Sequence, residues 1–193
     1  PSAKLCDATL KMGAKGLIRS TYYKMLLEYK QGIPFLSNII IMIKRAKYIS
    51  KEGKILILVP LHEIIDRLMR AMNNDPFFSG LSIGYVTGEV GKNDKPEMME
   101  KDIILSTAQS MGTGVDVQKL AAVINYDQFA SPIINEQIVG RLRDRGKETF
   151  FFDVCDHVKY AGSVERWGMK RRAVMPYFPG VKPNIHQLEP IHC

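Results

Sequence analysis

The chain has 193 residues, 46% of them hydrophobic and 24% charged, enough for one substantial core and about the size of one domain with extensions. No stretch approaches the roughly 20 apolar residues that span a bilayer, because the apolar run around Ile39 is broken by Lys44, Arg45 and Lys47. The net charge of +7 is uneven: residues 1–54 hold 11 Lys/Arg against 3 acids, residues 55–156 hold 10 against 15, and residues 157–193 hold 6 against 2.

The first 53 residues are expected to form a mainly helical flank that packs on the core. Tyr22, Leu26 and Tyr29 recur at one helical spacing, and Leu36, Ile39, Ile40 and Ile43 at another. From Lys54 the sequence alternates short apolar runs with amphipathic or polar stretches, which predicts an α/β core over residues 54–156, a parallel sheet flanked by helices. Ile55 to Val59 is a continuous apolar run stopped by Pro60, the pattern of a strand buried on both faces. Ile64, Ile65, Leu68 and Met72 then carry helical spacing until Asn73-Asn74-Asp75-Pro76 ends it. Ile83 to Val86 reads as the second strand, followed by Thr87-Gly88 and a polar loop through Pro96. Ile103 to Leu105 reads as the third, Ala121 to Asn125 as the fourth and Phe150 to Phe152 as the fifth, with a helix over Ile134 to Leu142 between the last two. Residues 157–193 form a basic extension whose end, with Pro176, Pro179, Pro183 and Pro190, is expected to be irregular.

Cys6, Cys155 and Cys193 are widely spaced with no C-x-x-C pairing, which argues against a disulfide framework or a zinc site and for a reducing compartment. Cys155 reads as a small buried hydrophobe, and Asp153 and Asp156 around it as loop residues. No metal site is expected from these residues. The amino terminus lacks the basic segment, apolar core and small-residue cleavage site of a secretory signal, so the expected location is cytoplasmic or nuclear rather than secreted. The basic flanks suit a nucleic acid through counterion release, and equally a solvated face or an acidic protein.

A sheet of this kind binds ligands beyond the carboxyl ends of its strands. Two segments there stand out. Thr107 to Asp116 contains Gly112 and Gly114, which allow close backbone approach, and ends in an acceptor at Asp116. Gln137-Ile-Val-Gly140-Arg141-Leu-Arg143-Asp-Arg145 places Gln137 and Arg141 one helical turn apart, so both can reach a common ligand. Guanidinium groups on a rigid element match the charge that develops on a transferred phosphoryl group.

In order and spacing these elements resemble the carboxy-terminal, second RecA-like domain of superfamily-2 helicases, over roughly 100 residues. The fourth motif of that family resembles Ile55 to Leu68, the accessory Thr-Gly resembles Thr87-Gly88, the fifth motif resembles Ser106 to Asp116, and the sixth, Gln-x-x-Gly-Arg, is Gln137 to Arg141. The resemblance implies a RecA-like, P-loop-NTPase-like fold and an arginine finger at Arg141 with Gln137 beside it. It implies nucleotide-side contacts by Gly112, Gly114 and Asp116, and nucleic-acid backbone contacts by Ser106, Thr107, Thr87 and Gly88. Thr87 and Gly88 equally suit a plain turn.

Two departures from the family pattern stand in the sequence. Asp144 occupies the place of a second arginine, leaving Arg143 and Arg145 as candidates for that role. The spacing from Thr107 to Gly114 exceeds that of DEAD-box proteins by one residue. It looks more like phage recombination helicases and the transcript-release helicases of large DNA viruses such as poxviruses and African swine fever virus, which would place the protein in a viral factory or virion.

In the tail, Arg166-Trp167-Gly-Met-Lys170-Arg171-Arg172 combines a stacking surface with cations. It suits nucleic acid or transcription machinery as a partner, and equally an amphipathic helix whose Trp packs inward.

The sequence has neither a Gly-x4-Gly-Lys-Ser/Thr phosphate loop nor an Asp-Glu pair after a strand. ATP and Mg2+ are therefore expected mainly on a first RecA-like domain of the same polypeptide, with this chain inactive by itself and single-stranded DNA or RNA the partner. Two other readings compete. A small-molecule enzyme would need Gly-x-Gly-x-x-Gly where Pro60-Leu61-His62-Glu63 stands. A non-catalytic module derived from a helicase would bind nucleic acid or protein without turnover. His62 and Glu63 themselves read as capping or solvated groups rather than an acid–base pair.

Overall fold

The computed structural model describes residues 19–91, 93–111, 117–127, 140, 142, 148–154 and 170. Its helices and strands are α1 Arg19–Glu28, α2 Ile33–Ile49, β1 Lys54–Leu58, α3 His62–Asn73, β2 Ile83–Val86, α4 Lys95–Met99, β3 Ile103–Ser106, β4 Leu120–Asn125 and β5 Phe150–Asp153. The five strands form one parallel sheet in the order β2-β3-β1-β4-β5. The expected fold class is thus present. Of the predicted helix at 134–142 only Gly140, in a turn, and Leu142, in a bend, are described; its other residues and the irregular tail lie outside the described residues.

Strand periodicity sorts the core into two layers. Ile55, Ile57, Ile103, Leu105, Ala122 and Ile124 share one cluster with residues of α1, α2 and α3. Leu56, Leu58, Ile104 and Val123 join the opposite cluster with Met99, Ala108, Met111 and Val117. Every residue of β1 is buried, which is why its sequence is continuously apolar after Lys54. That lysine starts the strand with its chain covered, and its Nζ reaches Met99 O at 2.8 Å and Glu100 Oε2 at 2.9 Å. Glu100 is held below the ordinary carboxylate range by the Lys54 ammonium.

The helical flank shares the first core layer through Tyr22, Tyr23, Leu27, Phe35, Ile39 and Ile43. In α1, Tyr22, Tyr23 and Leu27 are 4%, 0% and 1% exposed, and Leu26 packs partly buried against the same cluster, so of the expected residues only Tyr29, beyond the end of the helix, is not part of it. Lys30, Gln31 and Gly32 then all adopt left-handed backbone angles between α1 and α2. Arg67 closes that turn: its Nη1 donates to Leu27 O at 3.2 Å and Gln31 O at 3.0 Å, and its Nη2 to Glu63 Oε1 at 2.7 Å. His62 is exposed at the start of α3, so the pair His62-Glu63 serves the surface of a helix.

Helix α4 lies where a polar loop was expected. Pro96 sits in its first turn, and Met99 is buried against the sheet. Its carboxyl end comes so close to β2 that a Cβ on Gly84 would meet Lys101 Cγ at 2.7 Å and Met98 O at 3.0 Å.

Candidate nucleotide and nucleic-acid interface

Register aligns the strand ends. Val86 pairs with Ser106, Ser106 with Leu58, Leu58 with Asn125 and Asn125 with Asp153. A row of residues thus marks the carboxyl edge of the sheet, and the next residue on each strand begins a loop. Thr87 and Thr107, predicted on separate motifs, start neighbouring loops on that edge. The backbone beyond the row is still engaged: Val59 N donates to Ser106 O at 2.9 Å, Tyr126 N to Leu58 O at 2.8 Å and Val154 N to Asn125 O at 3.0 Å.

Ser106 and Thr107 differ in what their hydroxyls do. Ser106 is fully buried, and its Oγ donates to Val86 O at 2.6 Å and lies 3.1 Å from Thr107 O. It ties β3 to β2 beneath the surface. Thr107 is 7% exposed and opens a single helical turn. Its carbonyl accepts from Ser110 N at 3.1 Å and Met111 N at 3.2 Å, while its Oγ1 lies 2.8 Å from Ser110 Oγ and accepts from Ser110 N at 3.2 Å. This is helix-capping chemistry, and it fixes the Thr107 backbone at the mouth of the Gly-rich segment.

Beyond β2, Thr87 is 5% exposed, and its Oγ1 accepts from Glu89 N at 3.3 Å. A Cβ on Gly88 would meet nothing within 4 Å, so the backbone there is open to an approaching ligand. The adjacent hollow of about 330 Å³ is lined by Glu89, Asp94 and Glu97 as well as Thr87. Those carboxylates make the hollow unfavourable for a phosphate group.

Sequence reasoning missed one polar pair. Asn125 is 1% exposed; its Nδ2 donates to Asp153 Oδ1 at 3.1 Å, and its buried Oδ1 accepts no hydrogen bond from the described residues. Asp153 is the last residue of β5, not a loop residue. The available signal was that two apolar runs, Val123-Ile124 and Phe150 to Phe152, each end in a polar residue.

Gly112, Gly114, Asp116, Gln137, Arg141, Arg143, Arg145, Arg171 and Arg172 lie outside the described residues. Leu142, between Arg141 and Arg143, packs against the second core cluster, and Lys170 is exposed in a helix. Among the described residues no group of three His, Cys, Asp or Glu side chains is placed to hold a metal ion. No described helix is long and apolar enough to cross a membrane.

The fold and its edge have known counterparts. No curated protein sequence matches the chain. The C-terminal part of the Fun30 ATPase domain superposes with a TM-score of 0.55 at 14% identity, covering 72% of this chain and 52% of that one. The chain therefore spans about half the length of that structure. The C-terminal domain of the DEAD-box protein Dbp5 gives 0.51 at 16% identity, covering 67% and 72%. The E. coli DEAD-box protein SrmB, bound to regulator of ribonuclease activity A, gives 0.51 at 15%, covering 61% and 69%. These likenesses establish the fold. The helicase conserved C-terminal domain matches residues 33–146, a span that takes in α2, the whole row of strands through β4, the Gly-rich segment and the arginine-bearing segment. The chain belongs to that family.

Proposed function

We propose that this chain is the second half of an ATP-driven nucleic-acid motor, with Arg141 as the arginine finger and Thr107 at the strand-binding mouth. The observation that carries the proposal is the family match over residues 33–146, which includes both the Thr107–Asp116 segment and Gln137-x-x-Gly140-Arg141 in order. ATP is the substrate, held by the first motor domain, and the guanidinium of Arg141 closes on its γ-phosphate across the interdomain cleft. Gln137, four residues earlier in the same motif, acts beside it. Gly112 and Gly114 let the backbone approach the nucleotide, and Asp116 accepts a hydrogen bond there. Arg143 or Arg145 replaces the second arginine displaced by Asp144.

With ATP in place, both domains grip one strand by its phosphates, without choosing sequence. Loss of the γ-phosphate charge releases Arg141, the domains part, and the grip advances. The metal is assigned to the first domain, and no step on this chain runs through it. The spacing from Thr107 to Gly114 supports a place among the phage and viral translocases; Lys170, Arg171 and Arg172 add a second cationic surface for nucleic acid or transcription machinery.

In the full motor, Arg141→Ala is expected to lower strand-stimulated ATP turnover on the order of a thousandfold while leaving single-strand binding nearly intact. Undiminished turnover would remove the finger from Arg141. Turnover absent from the unsubstituted motor would instead favour a binding module.

A further inference from the structure

Helix α2 buries Phe35, Ile39, Ile43 and Ala46 in the first core layer. That phase turns Ser37, Ile41, Arg45 and Tyr48 outward. Ile41 is 45% exposed and Tyr48 79%. Lys44, one turn from each, extends this surface sideways: its Nζ lies 5.2 Å from the centre of the Phe77 ring and 2.6 Å from Asp75 Oδ2. Phe77 is 43% exposed. Its N–H donates to Asp75 Oδ1 at 3.0 Å, and its ring meets the buried Phe78 ring edge to face, so it is fixed in place. The face lies toward the amino ends of the strands, since α2 ends just before β1 begins and Phe77 stands between α3 and β2.

Single apolar side chains are ordinary on a surface, whereas adjoining ones mark a binding face. We propose that Ile41, Tyr48 and Phe77 dock an amphipathic segment of another protein, one that carries large apolar side chains beside carboxylates. The sign of the charge comes from the flanking cations. Lys44 is matched by Asp75, but Arg45, exposed beside Ile41 and Tyr48, has no ion pair among the described residues, and Lys51 is exposed one turn beyond Tyr48. A nucleic-acid strand fits this face less well, because its phosphates are tracked by a row of cations, and Asp75 and Glu52 interrupt the row here. Ile41 and Tyr48 are two helical turns apart, about 10 Å, which suits a partner helix with anchors at i, i+4 and i+7. Anchors already held in place lose little freedom when they bind. Docking at this end leaves the carboxyl edge of the sheet uncovered and does not depend on the motor function.

The test uses the full polypeptide and, as probe, a fluorescein-labelled helical peptide of about 15 residues with Leu, Phe and Leu at i, i+4 and i+7 and glutamates beside them. Anisotropy should show saturable binding with a Kd on the order of 10–100 μM. Tyr48→Ser and Arg45→Glu should each weaken it about tenfold, with single-strand affinity unchanged. A peptide with lysines in place of the glutamates should bind the Arg45→Glu protein more tightly than the unsubstituted one.

Absence of saturable binding by the glutamate peptide overturns the proposal, as does equal binding by the lysine peptide or binding that survives both substitutions. A fall in affinity for oligothymidylate in both variants, with peptide binding unchanged, assigns the face to nucleic acid and overturns it. Self-association in sedimentation equilibrium that Tyr48→Ser abolishes assigns the face to a second copy and also overturns it. Phe77→Ser should weaken the peptide as Tyr48→Ser does; if it unfolds the domain, Phe77→Leu, which keeps the contact with Phe78, must still weaken binding, and unchanged affinity there removes Phe77 from the face and overturns the proposal.

Discussion

Replacing Ser106 by alanine removes a hydroxyl that reaches Val86 O at 2.6 Å inside the sheet. The site is fully buried, so no water takes over the bond, and the net loss should be about 1–2 kcal/mol. For a chain of this length that corresponds to a fall in Tm of about 2–8 °C. Thr107→Val removes the neighbouring hydroxyl at nearly constant volume, and with it the partner of Ser110 Oγ and the second acceptor of Ser110 N, which keeps Thr107 O. Loss of such a cap costs about 1 kcal/mol.

The two variants are thus similar in stability cost and separate in binding. Thr107→Val should also weaken single-strand affinity, whereas Ser106→Ala should leave it unchanged. Urea unfolding followed by circular dichroism gives the first quantity, and fluorescence anisotropy of a labelled strand gives the second. A stability loss below about 0.5 kcal/mol for Ser106→Ala, the range of ordinary surface substitutions, would refute the buried-bond argument. Equal loss of affinity in both variants would refute the division of labour between the two residues.

Two further outcomes are expected. Hydrogen bonds from the Ser82 hydroxyl and backbone N–H hold Asp102 below the ordinary carboxylate range, the Lys44 ammonium does so for Asp75, and Lys54 for Glu100. Each group binds its proton more weakly folded than unfolded, so the stability it adds is present above about pH 4 and is lost as pH falls through the lowered folded values. Urea midpoints across that range should decline with acid, less steeply for Asp102→Asn, and an unchanged slope in that variant would sink the assignment. Affinity of the 193-residue chain for a single strand should fall steeply with added salt, given the charge of +7; a flat salt dependence would take the basic flanks out of the binding surface.

The strands were legible because each is a short apolar run with a polar or Pro boundary; β1, β3 and β4, buried on both faces, show no alternation, and it is their length of 5, 4 and 6 residues that separates them from helices. Helix α4 was not, since five residues inside a polar stretch carry too little periodicity. Its trace was the pair Met98-Met99 facing a strand with Gly84 in it. The left-handed turn at Lys30 and Gln31 was not legible, because neither residue type signals that conformation locally. At the carboxyl edge, Thr87 was placed as the first residue after its strand, whereas the third strand runs one residue further than expected and includes Ser106. The Asn125–Asp153 pair was invisible because it is made by parallel register between strands 28 residues apart.

The turn that joins α1 to α2 also determines how the domain bears load. Tension applied through α1 falls on three consecutive left-handed residues, a compact and costly backbone form that gains length when it straightens. It can straighten only after the Arg67 guanidinium lets go of Leu27 O and Gln31 O. The clasp thus reinforces the packing of Tyr22, Tyr23 and Leu27, so that α1 leaves the sheet only when these side chains and the guanidinium bonds give way together.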